Sequence, residues 1–357
     1  MISDDLEAGA RNLLINCAEV QPGETLLIIH EDPQFGWYDL DAPMALATIA
    51  EQLGLTVTLH EVGAPEEARD PAILEIAAAH DRVVFLARIG DQDRFEKTDH
   101  KNASVMSYAR NADALASDYG RTDHRAMLAL KNAVNGILQS AGKIEITCPR
   151  GTRVSGAPGP VQDENEAEVS VKRFPMGVPQ PVPCDGFSGR VALARYLTPT
   201  GSKAYTPPNL AIDGTVFVHF DGNRIMRFEG AAEQVAAIEK HYAHIAGLFQ
   251  IEPYFTHSWH AGLHPGCAYT APIDADPDRW SNNIFTHPRL LHFHTCGAYA
   301  PGEICWSVVD PSVLVDGVAL WDGGALQPER FEETRRCLRD WPELVALFAS
   351  PSTAIGV

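Results

Sequence analysis

At 357 residues, 45% hydrophobic and 21% charged, the chain is long enough for two domains and apolar enough to bury a large core. A formal net charge of −19 without any basic run argues against nucleic acid and against anionic membrane surfaces as partners. No apolar stretch approaches the roughly 18–20 residues of a membrane span, and the acidic opening Met1-Ile2-Ser3-Asp4-Asp5-Leu6-Glu7 is unlike a signal peptide, so the expected location is cytoplasmic.

In chain order, residues 4–20 predict an amphipathic helix that ends at Gln21-Pro22-Gly23. Glu24–His30 is a short apolar run between turn residues and reads as a buried strand. Ala42–Leu53 predicts a helix, Leu55–His60 a strand, Pro71–His80 a helix and Arg82–Ala87 a third strand. Strands and helices alternating at this spacing build a mainly parallel sheet, so residues 1–142 are expected to form an α/β domain. None of these strands is followed by G-x-G-x-x-G or G-x-x-x-x-G-K-[ST], and nucleotide binding has no support. Asp123–Ala141 predicts another long helix.

Near residue 143 the pattern changes. Lys143–Thr147 alternates as a half-buried antiparallel strand does, and Pro149-Arg150-Gly151 turns it. Residues 154–210 are rich in Pro, Gly and polar side chains and show few clear elements. Thr215–Phe220 and Arg224–Phe228 read as a strand pair around Asp221-Gly222-Asn223, and Ala231–Phe249 as an amphipathic helix. Ile304–Val309 and Val313–Leu320 read as strands and Pro328–Phe348 as a closing helix. Residues 143–357 are therefore expected to form an α+β domain.

The chemistry concentrates in Thr256–Gly297. His257-Ser258-Trp259-His260-Ala261-Gly262-Leu263-His264 and His292-Phe293-His294 bound this window, which holds six of the 14 histidines, His287 being the sixth. Neutral imidazole ligates zinc, iron and copper, so the two clusters predict a metal site. On a strand His292 and His294 share a face, and two imidazoles about 6–7 Å apart can chelate one ion. His264, pushed into an extended conformation by Pro265, ranks with this pair, followed by His260 and then His257. His287 before Pro288 reads as a turn residue, and His30 and His60 end strands without an assigned role. Seven cysteines without a C-x-x-C pair predict neither a disulfide framework nor a four-thiolate site; Cys296 and Cys305 lie near the histidines. Glu303 and Asp310 flank a predicted strand, and a carboxylate there would orient a ligand or act as general base. Trp259, Phe293, Tyr299 and Trp306 are candidates to wall an aromatic substrate.

Several segments resemble one family, the aminopeptidase T/aminopeptidase S metallopeptidases. They are Val20–Ile28, Ile144–Thr152, Phe174-Pro175-Met176-Gly177, Asp221–Gly230, Gly262-Leu263-His264-Pro265-Gly266 and Val315-Asp316-Gly317. Their order and spacing match over most of the chain. The resemblance implies an N-terminal α/β domain, a C-terminal metal domain, and a homodimer or larger homo-oligomer. It also implies that the segment Thr98-Asp99-His100-Lys101-Asn102-Ala103-Ser104 faces the cleft, which makes His100 a candidate acid or base. The fold family includes a branch of single-iron 2,5-dihydroxypyridine dioxygenases.

The departures from the family pattern bear on the reaction. Val178 stands where the peptidases carry the glutamate of N-x-P-x-G-E, and Ser258 near the position of a second glutamate. No H-x-D occurs in the histidine window; its equivalent there or beyond is either His292-Phe293-His294 or, in another alignment, Cys305-Trp306-Ser307. Two metals about 3.5–4 Å apart need bridging carboxylates, whereas this window offers neutral terminal imidazoles. The expectation is one Fe(II) that activates O2 on a small hydroxylated aromatic or N-heteroaromatic substrate, with His100 or Glu303 as base. The alternative is a hydrolase of a small amide or peptide using Zn(II) or another divalent metal.

Overall fold

The computed structural model describes residues 2–65, 71–92, 103–159, 171–201, 203–298 and 302–357. The first part of the chain alternates as expected: α1 (Asp4–Arg11), β1 (Thr25–Glu31), α2 (Asp41–Gln52), β2 (Thr56–Val62), α3 (Pro71–Ala78), β3 (Arg82–Leu86) and β4 (Ala103–Ser107). Ser3 caps α1 and Arg11 closes it, and the chain then continues as a wider π-turn over Asn12–Cys17. The single helix expected over 4–20 is thus divided. The strands pair in parallel in the order β2-β1-β3-β4. Leu26–Ile29 and Val83–Leu86 are buried on both faces, as near-continuous apolar runs in a parallel sheet must be.

The boundary expected at 142 is crossed in both directions. Helix α6 (His124–Gln139), after the short α4 (Ala112–Ala116) and α5 (Asp118–Arg121), packs Met127, Leu130 and Val134 into the core of the second half. Conversely β7 (Lys172–Phe174) returns to pair with β4 as a fifth parallel strand, and buries Phe174 in the first core.

The second half is built on two antiparallel sheets. One, among the described residues, runs β13-β12-β9-β6-β5-β17-β18-β19. Its strands are β5 (Ile144–Thr147), β6 (Arg153–Gly156), β9 (Phe187–Ala192), β12 (Phe217–Asp221), β13 (Arg224–Glu229), β17 (Ser312–Val315), β18 (Val318–Asp322) and β19 (Ala325–Leu326). The other runs β11-β10-β16-β15-β14-β8. Here β8 is Val182–Pro183, β10 Tyr196–Pro199, β11 Leu210–Ala211, β14 Thr256–Ala261, β15 Leu290–Thr295 and β16 Ile304–Val309. Helix α7 (Ala232–Phe249) packs Ile238, Tyr242 and Ile245 into the same core.

Three sequence expectations are corrected here. The stretch 154–210, expected to hold few elements, contributes short strands to all three sheets, each too brief to show a period. Val313–Leu320 is two strands, because Asp316 and Gly317 both take positive φ and turn the chain. The closing helix is also two, α9 (Glu332–Asp340) and α10 (Pro342–Ala349), since Pro342 cannot continue α9 but suits the first turn of α10. No helix of the described residues is long and apolar enough to cross a membrane.

Candidate metal centre

The two faces of the β14–β15–β16 region differ in chemistry, and strand register is the reason. Trp259, Phe293, Trp306 and Leu197 lie opposite one another across β14, β15, β16 and β10. Side chains alternate along a strand, so the intervening residues fall on the other face. Those are Ser258, His294, Cys305 and Thr198 in one row, and His260, His292 and Ser307 in the next. The apolar row packs onto the eight-stranded sheet: Phe187 sits 5.8 Å from Trp259, and Phe220 5.7 Å from Phe293. Trp259, Phe293 and Trp306 are fully buried there. The expected aromatic substrate wall is therefore corrected for these three, which form the core between the sheets and face away from the histidines.

On the polar face His260, His292 and His294 converge. Their ring centres are 5.1 Å (His260–His292), 5.0 Å (His260–His294) and 6.3 Å (His292–His294) apart. His260 Nε2 lies 2.9 Å from His294 Nε2. All three are buried. Burial pushes the His292 pKa down to about 4, so its imidazole is neutral and its lone pair available at ordinary pH. Its Nδ1 is buried without a hydrogen-bond partner. Cys305 Sγ stands 3.8 Å from His294 Nδ1, behind the ring whose Nε2 faces His260.

His260 and His294 stand as far apart as two ligands of one divalent ion would. Nitrogens that are each about 2.0–2.1 Å from one ion, roughly at a right angle, stand about 2.9 Å apart. Without an ion, one of the two rings must donate a proton to the other, a bond worth about 1 kcal/mol net. A bound divalent ion is worth roughly ten times that in a structural site. Among the described residues no group of three or more His, Cys, Asp and Glu side chains is placed to hold a metal ion together. The fit is thus a pair at chelating separation with a third imidazole beside it.

The remaining candidates are placed differently. His264 follows β14, where its backbone N–H donates to Thr286 O. Its ring packs edge-on to Tyr119 at 4.9 Å, its Nδ1 accepts from Gly266 N–H, and Nε2 has no partner. Burial and nearby His287 lower its pKa to about 3. It is neutral, as a ligand must be, but it stands outside the packed trio although the sequence ranked it with the His292/His294 pair. His257 is half-buried, turns its Nδ1 to Ser258 Oγ at 2.8 Å, and also lies outside the trio. His287 has its Nε2 on Ser352 O, as a turn residue would.

Glu303 is buried at the turn into β16. Its backbone N–H donates to Thr295 O and Cys296 O, its carbonyl accepts from Tyr205 O–H, and its Oε1 lies 3.9 Å from Lys203 Nζ. Asp310 is ion-paired with Arg289 at 2.6 Å, which assigns it to structure. Burial, with Glu303 adding to it, pushes the Cys296 thiol up to about 12, far from the thiolate a metal requires. His100 and Tyr299 lie outside the described residues.

The sequence did not disclose the groups that lie around Phe285, beyond His292. Helix α8 (Pro277–Ile284) ends at Phe285, whose ring is 6.1 Å from His292 and 4.8 Å from Tyr108. Tyr108 donates its hydroxyl to Asp91 at 2.7 Å, and Arg110 donates Nη2 to Asn282 O at 3.1 Å. Glu31, at the end of β1, pairs with Arg88 just beyond β3 at 2.6 Å. Glu31, Arg88, Asp91, Tyr108 and Arg110 lie at or just beyond the carboxyl ends of β1, β3 and β4, the edge where open α/β sheets bind ligands. Arg110 follows the last residue of β4 by three, but β4 was not among the strands the sequence predicted.

Neither a protein-family model nor a curated protein matches the sequence. Among solved structures, the chain is similar to 2,5-dihydroxypyridine dioxygenase from Pseudomonas putida, with a TM-score of 0.62 and 14% identity, over 94% of this chain and 99% of that one. It is also similar to aminopeptidase T (AmpT) from Thermus thermophilus, with a TM-score of 0.52 and 12% identity, over 90% and 98%. The chain has the fold that these two enzymes share.

Proposed function

We propose that the protein is a metal-dependent enzyme that oxidises or opens the ring of a small hydroxylated aromatic or N-heteroaromatic compound, with one Fe(II) held by His260, His292 and His294. The observation that carries this reading is the convergence of three imidazoles on one sheet face, with His260 and His294 already at ligand separation. The fold likeness to a dioxygenase that acts on a dihydroxypyridine supports it. A ferrous ion there supplies Lewis acidity toward a phenolate and electrons for dioxygen.

The chain's own residues supply the rest. The Trp259–Phe293–Trp306 core fixes the strands, so the histidine backbone positions are set before anything binds. Cys305 lies against His294 Nδ1 and so bears on which nitrogen of that ring carries the proton. Phe285 offers a ring edge beside His292 against which a flat substrate can stack. Glu303, or His100, would accept the substrate hydroxyl proton.

A second reading, hydrolysis of a small amide or peptide with Zn(II) or another divalent ion, draws on the likeness to AmpT and on the buried Glu303 carboxylate as base. Anaerobic loading with iron or zinc, followed by oxygen-uptake and amide-cleavage assays on hydroxypyridine and aminoacyl substrates, separates the two. Iron-dependent oxygen uptake with a hydroxypyridine supports the first. Amide cleavage without oxygen uptake would replace it with the second.

A further inference from the structure

Arg110 is 2% exposed, yet its Nε and Nη1 have no hydrogen-bond partner and only Nη2 is engaged, on Asn282 O. A buried guanidinium normally spends its donors on a carboxylate or on several carbonyls, because stranding them costs free energy. The acids around it hydrogen-bond to other donors, although the Asp278 charge is near enough to interact with that of Arg110. Asp91 accepts from Tyr108 O–H at 2.7 Å, Asp278 accepts from Asn282 Nδ2 at 2.7 Å, and Glu31 holds Arg88. What Arg110 does touch is aromatic: its guanidinium carbon lies 5.1 Å from the Trp37 ring centre and 5.0 Å from that of Tyr38. These faces support the cation without satisfying its N–H groups.

Arg110 stands just past β4, on the carboxyl edge of the parallel sheet, and bonds the last turn of α8. Two residues before it, Tyr108 packs on Phe285, and Phe285 on His292, so one ring separates this edge from the trio. In a chain of net charge −19, a buried cation with idle donors at the domain junction points to an anionic ligand.

We infer that Arg110 binds the carboxylate of the substrate, so that the natural substrate is a hydroxylated aromatic or N-heteroaromatic acid whose ring lies alongside Phe285, with its acid group toward Arg110 and its hydroxyl toward the histidine trio. The inference rests on the proposed site for its ring and metal, and stands on Arg110 alone for its carboxylate. Arg110 is then a binding residue that fixes which ring edge faces the histidines.

The test compares ligands that differ only in the acid group: 2,5-dihydroxybenzoate against 1,4-dihydroxybenzene, and 6-hydroxypyridine-3-carboxylate against 2-hydroxypyridine. Binding to wild type, Arg110→Lys and Arg110→Gln is measured anaerobically by calorimetry and thermal shift, with metal content determined on the same samples. The expected result is at least about tenfold tighter binding of each acid by wild type, partly kept in Arg110→Lys and abolished in Arg110→Gln. The wild-type comparison stands even if a variant fails to fold. Equal affinity for acid and parent ring, or no binding of either acid, would overturn the carboxylate inference, whatever the metal content. Acid selectivity in a protein that takes up no metal would uphold Arg110 while removing the oxygenase reading.

Discussion

His260 Nε2 stands 2.9 Å from His294 Nε2, although the residue directly across the strand pair from His260 is His292. The contact is diagonal, and it leaves His292 beside the pair with its Nδ1 unpartnered. One face of a six-stranded sheet thereby collects three imidazoles, while the register that aligns them sends three large aromatics to the other face. Several consequences can be measured.

Cys305 Sγ lies against His294 Nδ1, so Cys305→Ala removes the group that holds this ring. Metal affinity should fall by roughly 10-fold or more, as when other orienting partners of a ligand are removed, with little change in thermal stability. Metal titration of the variant checks this; unchanged affinity would detach Cys305 from the site.

Trp306 Nε1 donates to Tyr242 Oη at 2.6 Å, and that hydroxyl also meets Thr295 Oγ1 at 2.6 Å. Tyr242→Phe strands the buried indole N–H and should cost about 1–3 kcal/mol in chemical unfolding. Ligand affinity should not move. A selective loss of affinity without loss of stability would restore Trp306 to the substrate wall.

A Cβ on Gly262 would lie 2.2 Å from His287 O, where the strand leaving β14 runs against the chain entering β15. Gly262→Ala must push these segments apart and should destabilise by about 1–3 kcal/mol or more. Because His260 and His292 flank the contact, metal uptake should fall with it. A variant with wild-type melting temperature and metal content would contradict the close approach.

Burial first, and then Lys172, lowers the His124 pKa to about 4, against an ordinary value of 6.5. As pH falls the unfolded chain takes up this proton before the folded one. His124 therefore contributes stability that is complete above about pH 6.5 and is lost progressively as the pH falls toward 4. The difference in urea midpoint between pH 7.5 and pH 5 should be smaller in His124→Gln than in wild type; equal differences would show that His124 is not held neutral.

Much of this was legible in the sequence. Short apolar runs between helices disclosed the parallel sheet, since strands buried on both faces need no alternation. The spacing of His292 and His294 disclosed a shared face once a strand was assumed. His264 ranks above His260 in the sequence because Pro265 marks it as an extended loop residue, whereas the cross-strand register that brings His260 to His294 is a pairing of distant residues. The same limit misdirected the aromatics: Trp259, Phe293 and Trp306 alternate with the histidines, and only the second sheet behind them shows which face is core. Arg110 was invisible, since an arginine becomes a candidate only when its buried donors are seen to lack acceptors.

The central claim is that one ion sits among His260, His292 and His294. Metal analysis of anaerobically purified protein, with His260→Ala, His292→Ala, His294→Ala and His264→Ala variants in parallel, tests it most directly. About one iron per chain, lost in the three trio variants and kept in His264→Ala, is the predicted result. Two ions per chain, or no uptake under iron or zinc loading, would contradict it, and so would uptake that survives removal of all three trio imidazoles.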